Sequence, residues 1–104
     1  ESLLEIALKE HNFREAIRIH YLLVIKKLNE NKIVVYTIDK TNFEYVSEVG
    51  GHPVFPVFRD LTLTFERIWF GDAIANEDRL IQYQKKFTAF TEVISSNRSK
   101  QAAI

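Results

Sequence analysis

His11 and Glu15 stand four residues apart, a spacing that sets both side chains on one face of a helix and could begin a metal site. Closing such a site takes a third ligand, and the sequence offers no His-Glu-x-x-His motif to supply it. The chain has no Cys, so thiolate ligation, a thiol nucleophile and disulfides are all closed to it. His20 falls inside an apolar stretch, where it is expected as a packed, hydrogen-bonded side chain. His52 follows Gly50-Gly51 and precedes Pro53, and that turn is expected to leave it facing solvent. No motif joins a Ser to a His as nucleophile and base, and no carboxylate pair is set up for acid–base work. Neither catalysis nor a cofactor nor a metal is expected.

The polar residues with the most interesting arrangement are Lys40, Thr41 and Asn42, followed by Glu44. Thr41 three residues before Glu44 is the pattern of a helix capping box, which alone accounts for the threonine. Contact with a ligand or partner through Lys40 and Asn42 is the other reading, and both stay open on the sequence. Glu66 and Arg67 precede Trp69 and Gly71 in a second candidate group. There Glu66 is expected to bridge to Arg14 or Arg18 from an earlier helix.

These groups need elements to hold them. Four segments open with helix-start signatures: Ser2 before Glu5, Asn12 before Glu15, Thr41 before Glu44, and Asn76 before Glu77 and Asp78. Helices are expected over 3–10, 13–29, 42–49, 55–70 and 77–95. In the second, Phe13, Ile17, Tyr21, Val24 and Leu28 keep helical spacing, and neighbouring apolar residues widen the stripe nearly all round, so this helix is expected at the centre. The fourth starts near Pro53 or Pro56, because proline is tolerated in a first turn, and stops at Gly71. The fifth carries Leu80, Tyr83, Phe87, Phe90 and Ile94 on one face. Residues 33–38 are β-branched but have no clear strand partner, and read as an extended connector. The fold class is therefore all-α, an irregular bundle of about five helices. Phe13, Ala16, Ile17, Tyr45, Phe65 and Trp69 are expected in the structural core, with Trp69 packed on the second or fifth helix and Gly71 at a helix stop.

Composition bounds the function classes. With 104 residues the chain suits one domain, expected over 1–95 with a polar, disordered tail over 96–104. Lys plus Arg number 14 and Asp plus Glu number 14, a balance that argues against nucleic acid as a partner. A helix-turn-helix reading of the first two helices fails for the same reason, and because the would-be recognition helix is too apolar. No apolar run is long enough to span a membrane. The chain begins at Glu1, not Met, and is expected to be a piece of a longer protein.

Two resemblances add to this reading. Lys9 to Val24 looks like the turn and second helix of a tetratricopeptide unit, present once. Three boxes in order, Asn12-Phe13-Arg14-Glu15-Ala16-Ile17-Arg18, Lys40-Thr41-Asn42-Phe43-Glu44-Tyr45 and Phe65-Glu66-Arg67-Ile68-Trp69-Phe70-Gly71, resemble the bacterial domain of unknown function 4129 over about residues 5–93. Phe43 stands where that family usually has Arg, and Phe70 where it usually has Tyr. The resemblance implies a domain on the cytoplasmic side of the bacterial inner membrane, tethered by an upstream helix and working as a non-catalytic protein-interaction or regulatory module. It also admits a small-molecule sensor or an accessory domain of a transglutaminase-like enzyme.

Overall fold

A computed structural model describes the backbone of residues 1–102 and the side chains of residues 1–97. Five helices follow in order: α1 (Leu3–Lys9), α2 (Phe13–Glu30), α3 (Asn42–Val49), α4 (Phe55–Trp69) and α5 (Glu77–Ala102). Among the described residues there is no strand, so the all-α bundle expected from the periodicity is the fold.

Each of the four start signatures makes its bond. Ser2 Oγ accepts from Glu5 N, Asn12 Oδ1 from Glu15 N, Thr41 Oγ1 from Glu44 N and Asn76 Oδ1 from Arg79 N. At Thr41 the box is complete, since Thr41 N donates back to Glu44 Oε1. α4 begins differently. Pro56 lacks an N–H, Val54 N donates to the His52 ring, and Phe55 N donates to the His52 carbonyl. His52 thus braces the turn that leads into α4, whose N-cap is Val54, and its other ring nitrogen lies 3.2 Å from Asn97 Nδ2. The expectation that it faces solvent is corrected: the ring is half-buried between two elements.

The first two helices end by a device that the sequence hides. His11 and Lys32 have φ of 55° and 59°, in the left-handed region. Each is followed by a residue whose N–H reaches back to close the helix: Asn12 N to Ala7 O at 2.8 Å, and Ile33 N to Leu28 O at 2.9 Å. These are Schellman closures without the usual glycine. Asn12 closes α1 with its backbone and opens α2 with its side chain, which makes the α1–α2 turn short and fixed. α3 ends at Gly50, and Gly51 takes φ of 91°. Gly71 is required sterically, because a Cβ there would lie 2.8 Å from the Arg67 carbonyl oxygen. α5 meets no glycine or proline after Glu77, and its backbone stays helical to Ala102, beyond the expected end at Ser95. The tail expected over 96–104 therefore falls partly on this helix and partly outside the described residues.

α2 packs against α1, α4 and α5, and α3 packs against α4. Ala16, Ile17, Tyr21, Val24 and Leu28 are buried, as are Phe58, Leu61, Phe65 and Ile68 from α4 and Leu80, Tyr83, Phe90 and Ile94 from α5. α2 is central but not sheathed all round: Leu22 and Leu23 remain exposed. At the α2–α4 seam the Tyr21 ring stacks on Phe65 with centroids 4.6 Å apart, and its hydroxyl lies 3.0 Å from Thr62 Oγ1. Burial pushes the Tyr21 phenol well above its ordinary range, and does the same to Tyr83, whose hydroxyl donates to the Leu61 carbonyl. Both rings therefore stay neutral anchors.

In the connector 33–38, Ile33 N and Val34 N reach back to the Leu28 carbonyl, and the next three backbone donors go to side chains. Val35 N donates to Glu48, Tyr36 N to Asn29 Oδ1 and Thr37 N to Tyr45 Oη. The segment bends at 33–34 and turns at 38, and these bonds satisfy its backbone without a strand partner.

Candidate functional site

The capping box at Thr41 fixes where α3 begins, and so where Lys40 and Asn42 point. Lys40 turns back toward the connector. Its ammonium lies 2.6 Å from Glu48 Oε1, donates to the Val35 carbonyl, and sits 5.0 Å from the centroid of the Tyr45 ring. The Lys40 hydrogen bond, and then the Val35 N–H, hold the Glu48 carboxyl below the usual carboxylate range. Lys40, Glu48 and Tyr45 form one latch that ties the connector to α3. Tyr45 is buried as expected, and its hydroxyl also donates to the Thr37 carbonyl.

Asn42 faces the other way, toward α4. Its amide donates to Glu66 Oε1 at 2.8 Å. The expected bridge from Glu66 to Arg14 or Arg18 is not formed. Arg18 pairs with Glu15 on its own helix, three residues away, and this hydrogen bond holds Glu15 below the usual carboxylate range. Arg14 instead donates to the Trp69 carbonyl and lays its guanidinium 3.8 Å from the centroid of the Trp69 ring. Trp69 packs on α2, one of its two expected partners, but as a half-buried lid stacked on Phe65 and covered by Arg14. Phe13 is likewise partly buried against the core, and Ala16, Ile17 and Phe65 lie within it.

The two sequence-level candidate groups meet in an open depression between the start of α3 and the end of α4. It is lined by Lys40, Thr41, Asn42, Phe43, Glu66 and Phe70. Arg67 is not part of it. Consecutive helical residues point about 100° apart, and Arg67 opens onto a separate hollow between α4 and α5. The residues missed on the sequence are Phe43 and Phe70, which are 51% and 71% exposed at the rim. Their signal was present: Phe43 directly follows Asn42, and Phe70 directly precedes the helix-stopping Gly71. An aromatic side chain at a helix end reads as core until the neighbours are known.

His11 lies in the turn before α2 and Glu15 within it, so the two do not share one helix face. His11 closes α1, and no group of three His, Cys, Asp or Glu among the described residues could hold an ion. His20 is buried against Tyr83 and Phe87, yet neither ring nitrogen has a hydrogen-bond partner. The expected hydrogen bond is absent because α5 presents aromatic rings there. No helix among the described residues is long and apolar enough to cross a membrane. No family model matches this chain, and neither does any curated protein or solved structure.

Proposed function

We propose that this chain is a non-catalytic interaction module that receives another protein on the depression between α3 and α4. One observation carries this reading: Phe43 and Phe70 stand exposed on the same depression that holds the Asn42–Glu66 pair. Large aromatic side chains left in water are unused binding area, and a protein interface is built from such anchors beside a few oriented polar groups. Asn42 retains a second amide hydrogen and a carbonyl oxygen for a partner, and Glu66 retains a second carboxylate oxygen. The chain's zero net charge suits a protein partner better than nucleic acid. The three sequence boxes support the further reading that the module sits on the cytoplasmic side of a bacterial inner membrane, tethered through a helix upstream of Glu1.

The test is site-specific crosslinking in the native cell. A photoreactive phenylalanine analogue at position 43 is expected to capture one protein, and an additional Phe70→Ala change to reduce that capture. The same analogue at Thr88, exposed on α5, is expected to give none of that product. Equal products from both positions, or none from position 43, would overturn the reading.

A further inference from the structure

The hollow between α4 and α5 has a different chemistry. It has a volume of about 270 Å³, and Arg67, Arg79 and Lys86 line it together with Thr64 and Gln82. Three cations around one hollow are out of proportion in a chain whose charges balance. Lys86 has its own counter-charge, with Asp60 Oδ2 at 3.2 Å, and it also donates to Thr64 Oγ1 at 3.2 Å. Arg67 and Arg79 have no carboxylate at ion-pair distance among the described residues. Arg79 reaches only the Ile74 carbonyl. It also lies in the first turn of α5, where the helix dipole opposes a cation and favours an anion. Glu77 and Asp78 share that turn but do not line the hollow. The hollow is thus lined by two guanidiniums without a carboxylate partner, an ammonium paired to Asp60, a hydroxyl and a carboxamide, and no Asp or Glu is among its lining residues.

We propose that this hollow binds the phosphate group of a small phosphate ester. Guanidinium forks match the paired oxygens of a phosphate, and two guanidiniums without a carboxylate balance a phosphate dianion, whereas a carboxylate would leave one of them unmatched. Ile68 and Tyr83 line the same hollow and offer an apolar wall to the ester's organic part. The volume suits a small ester and leaves no room for a folded partner. The site is separate from the α3–α4 depression, and it stands whether or not a protein docks there.

Titrating the isotope-labelled chain at constant ionic strength tests this. Inorganic phosphate and phenyl phosphate are both expected to shift the amide resonances of Ala73 and Gln82 to saturation, phenyl phosphate at lower concentration. Acetate is expected to give no saturable shift. Arg67→Gln should weaken phenyl phosphate about tenfold, and Arg67→Gln with Arg79→Gln should abolish saturation. Both arginines are exposed, so an unchanged melting temperature is expected in each variant. If the double variant melts early, Arg67→Gln with Lys86→Gln replaces it. Shifts that never saturate, saturation by acetate, equal affinity for the two phosphates, or undiminished affinity in a folded double variant each overturn the proposal.

Discussion

The Asn42 amide meets the Glu66 carboxylate at 2.8 Å and joins the first residue of α3 to the last full turn of α4 across 24 positions of the chain. α3 is short and packs on α4 alone among the helices, burying Tyr45 and Val49, and this bond adds a polar tie between the two helices.

Asn42→Ala should therefore cost about 1 kcal/mol, the usual net worth of a part-buried hydrogen bond with one charged partner. Asn42→Asp should cost more, because it sets two carboxylates against each other. Urea unfolding of both variants, closed into a cycle with Glu66→Gln, measures the coupling directly. A coupling near zero would mean that the pair does not hold α3 in place.

Trp69 is the only tryptophan, which makes its cover by Arg14 visible in fluorescence. Removing the guanidinium in Arg14→Ala should move the emission to longer wavelength and cost about 1 kcal/mol. Arg14→Lys should recover only part of both effects, since an ammonium cannot lie flat on the ring. Trp69→Ala should cost about 2–3 kcal/mol, less than for a fully buried tryptophan, because one face of the ring is lidded by a side chain and not by core.

Some of this was readable in the residues and some was not, and the division follows range. A cap such as Thr41 works on an N–H three residues away, so its chemistry is written in adjacent letters. The core stripes of α2, α4 and α5 were legible for the same reason: one helical period samples one face. Asn42 with Glu66, and Arg14 with Trp69, depend on which helices pack and at what register, and no local spacing encodes that. The sequence brought Lys40, Asn42 and Glu66 forward as candidates but joined Glu66 to the wrong partner. It also could not separate Glu66 from Arg67, which face different hollows although they are adjacent.

His20 makes stability depend on pH. Burial without a hydrogen-bond partner lowers its pKa from 6.5, so the folded state takes up the proton less readily than the unfolded chain. Above 6.5 both states are neutral and the group is silent. As pH falls below that value the unfolded state binds the proton first, and stability is lost toward the lower folded pKa. Glu15 and Glu48, whose folded pKa values are lowered from 4.5, add a separate loss at more acid pH. The melting temperature should thus begin to drop just below neutrality. His20→Phe should remove that first drop and leave the acid one, with neutral stability equal or higher, since two unpaired polar atoms are gone. A variant that keeps the full drop between neutral and mildly acid pH would place its origin elsewhere.

Lys32 offers the most direct gain in stability. It holds φ of 59° at the end of α2, a region where an L side chain costs roughly 1 kcal/mol and glycine nothing. The backbone bonds of the closure, Lys32 N to Asn29 O and Ile33 N to Leu28 O, need no side chain at position 32. The lysine is exposed and has no ion pair among the described residues. Lys32→Gly should therefore stabilise the fold only slightly, by up to about 0.6 kcal/mol, because the extra freedom of glycine in the unfolded chain offsets much of the relief. Lys32→Val should do the opposite and cost more than 1 kcal/mol, because a β-branched residue tolerates positive φ least. Thermal unfolding of the two variants beside the parent decides the matter. Were glycine to destabilise and valine to be neutral, the left-handed closure of α2 would not be the one the chain adopts in solution.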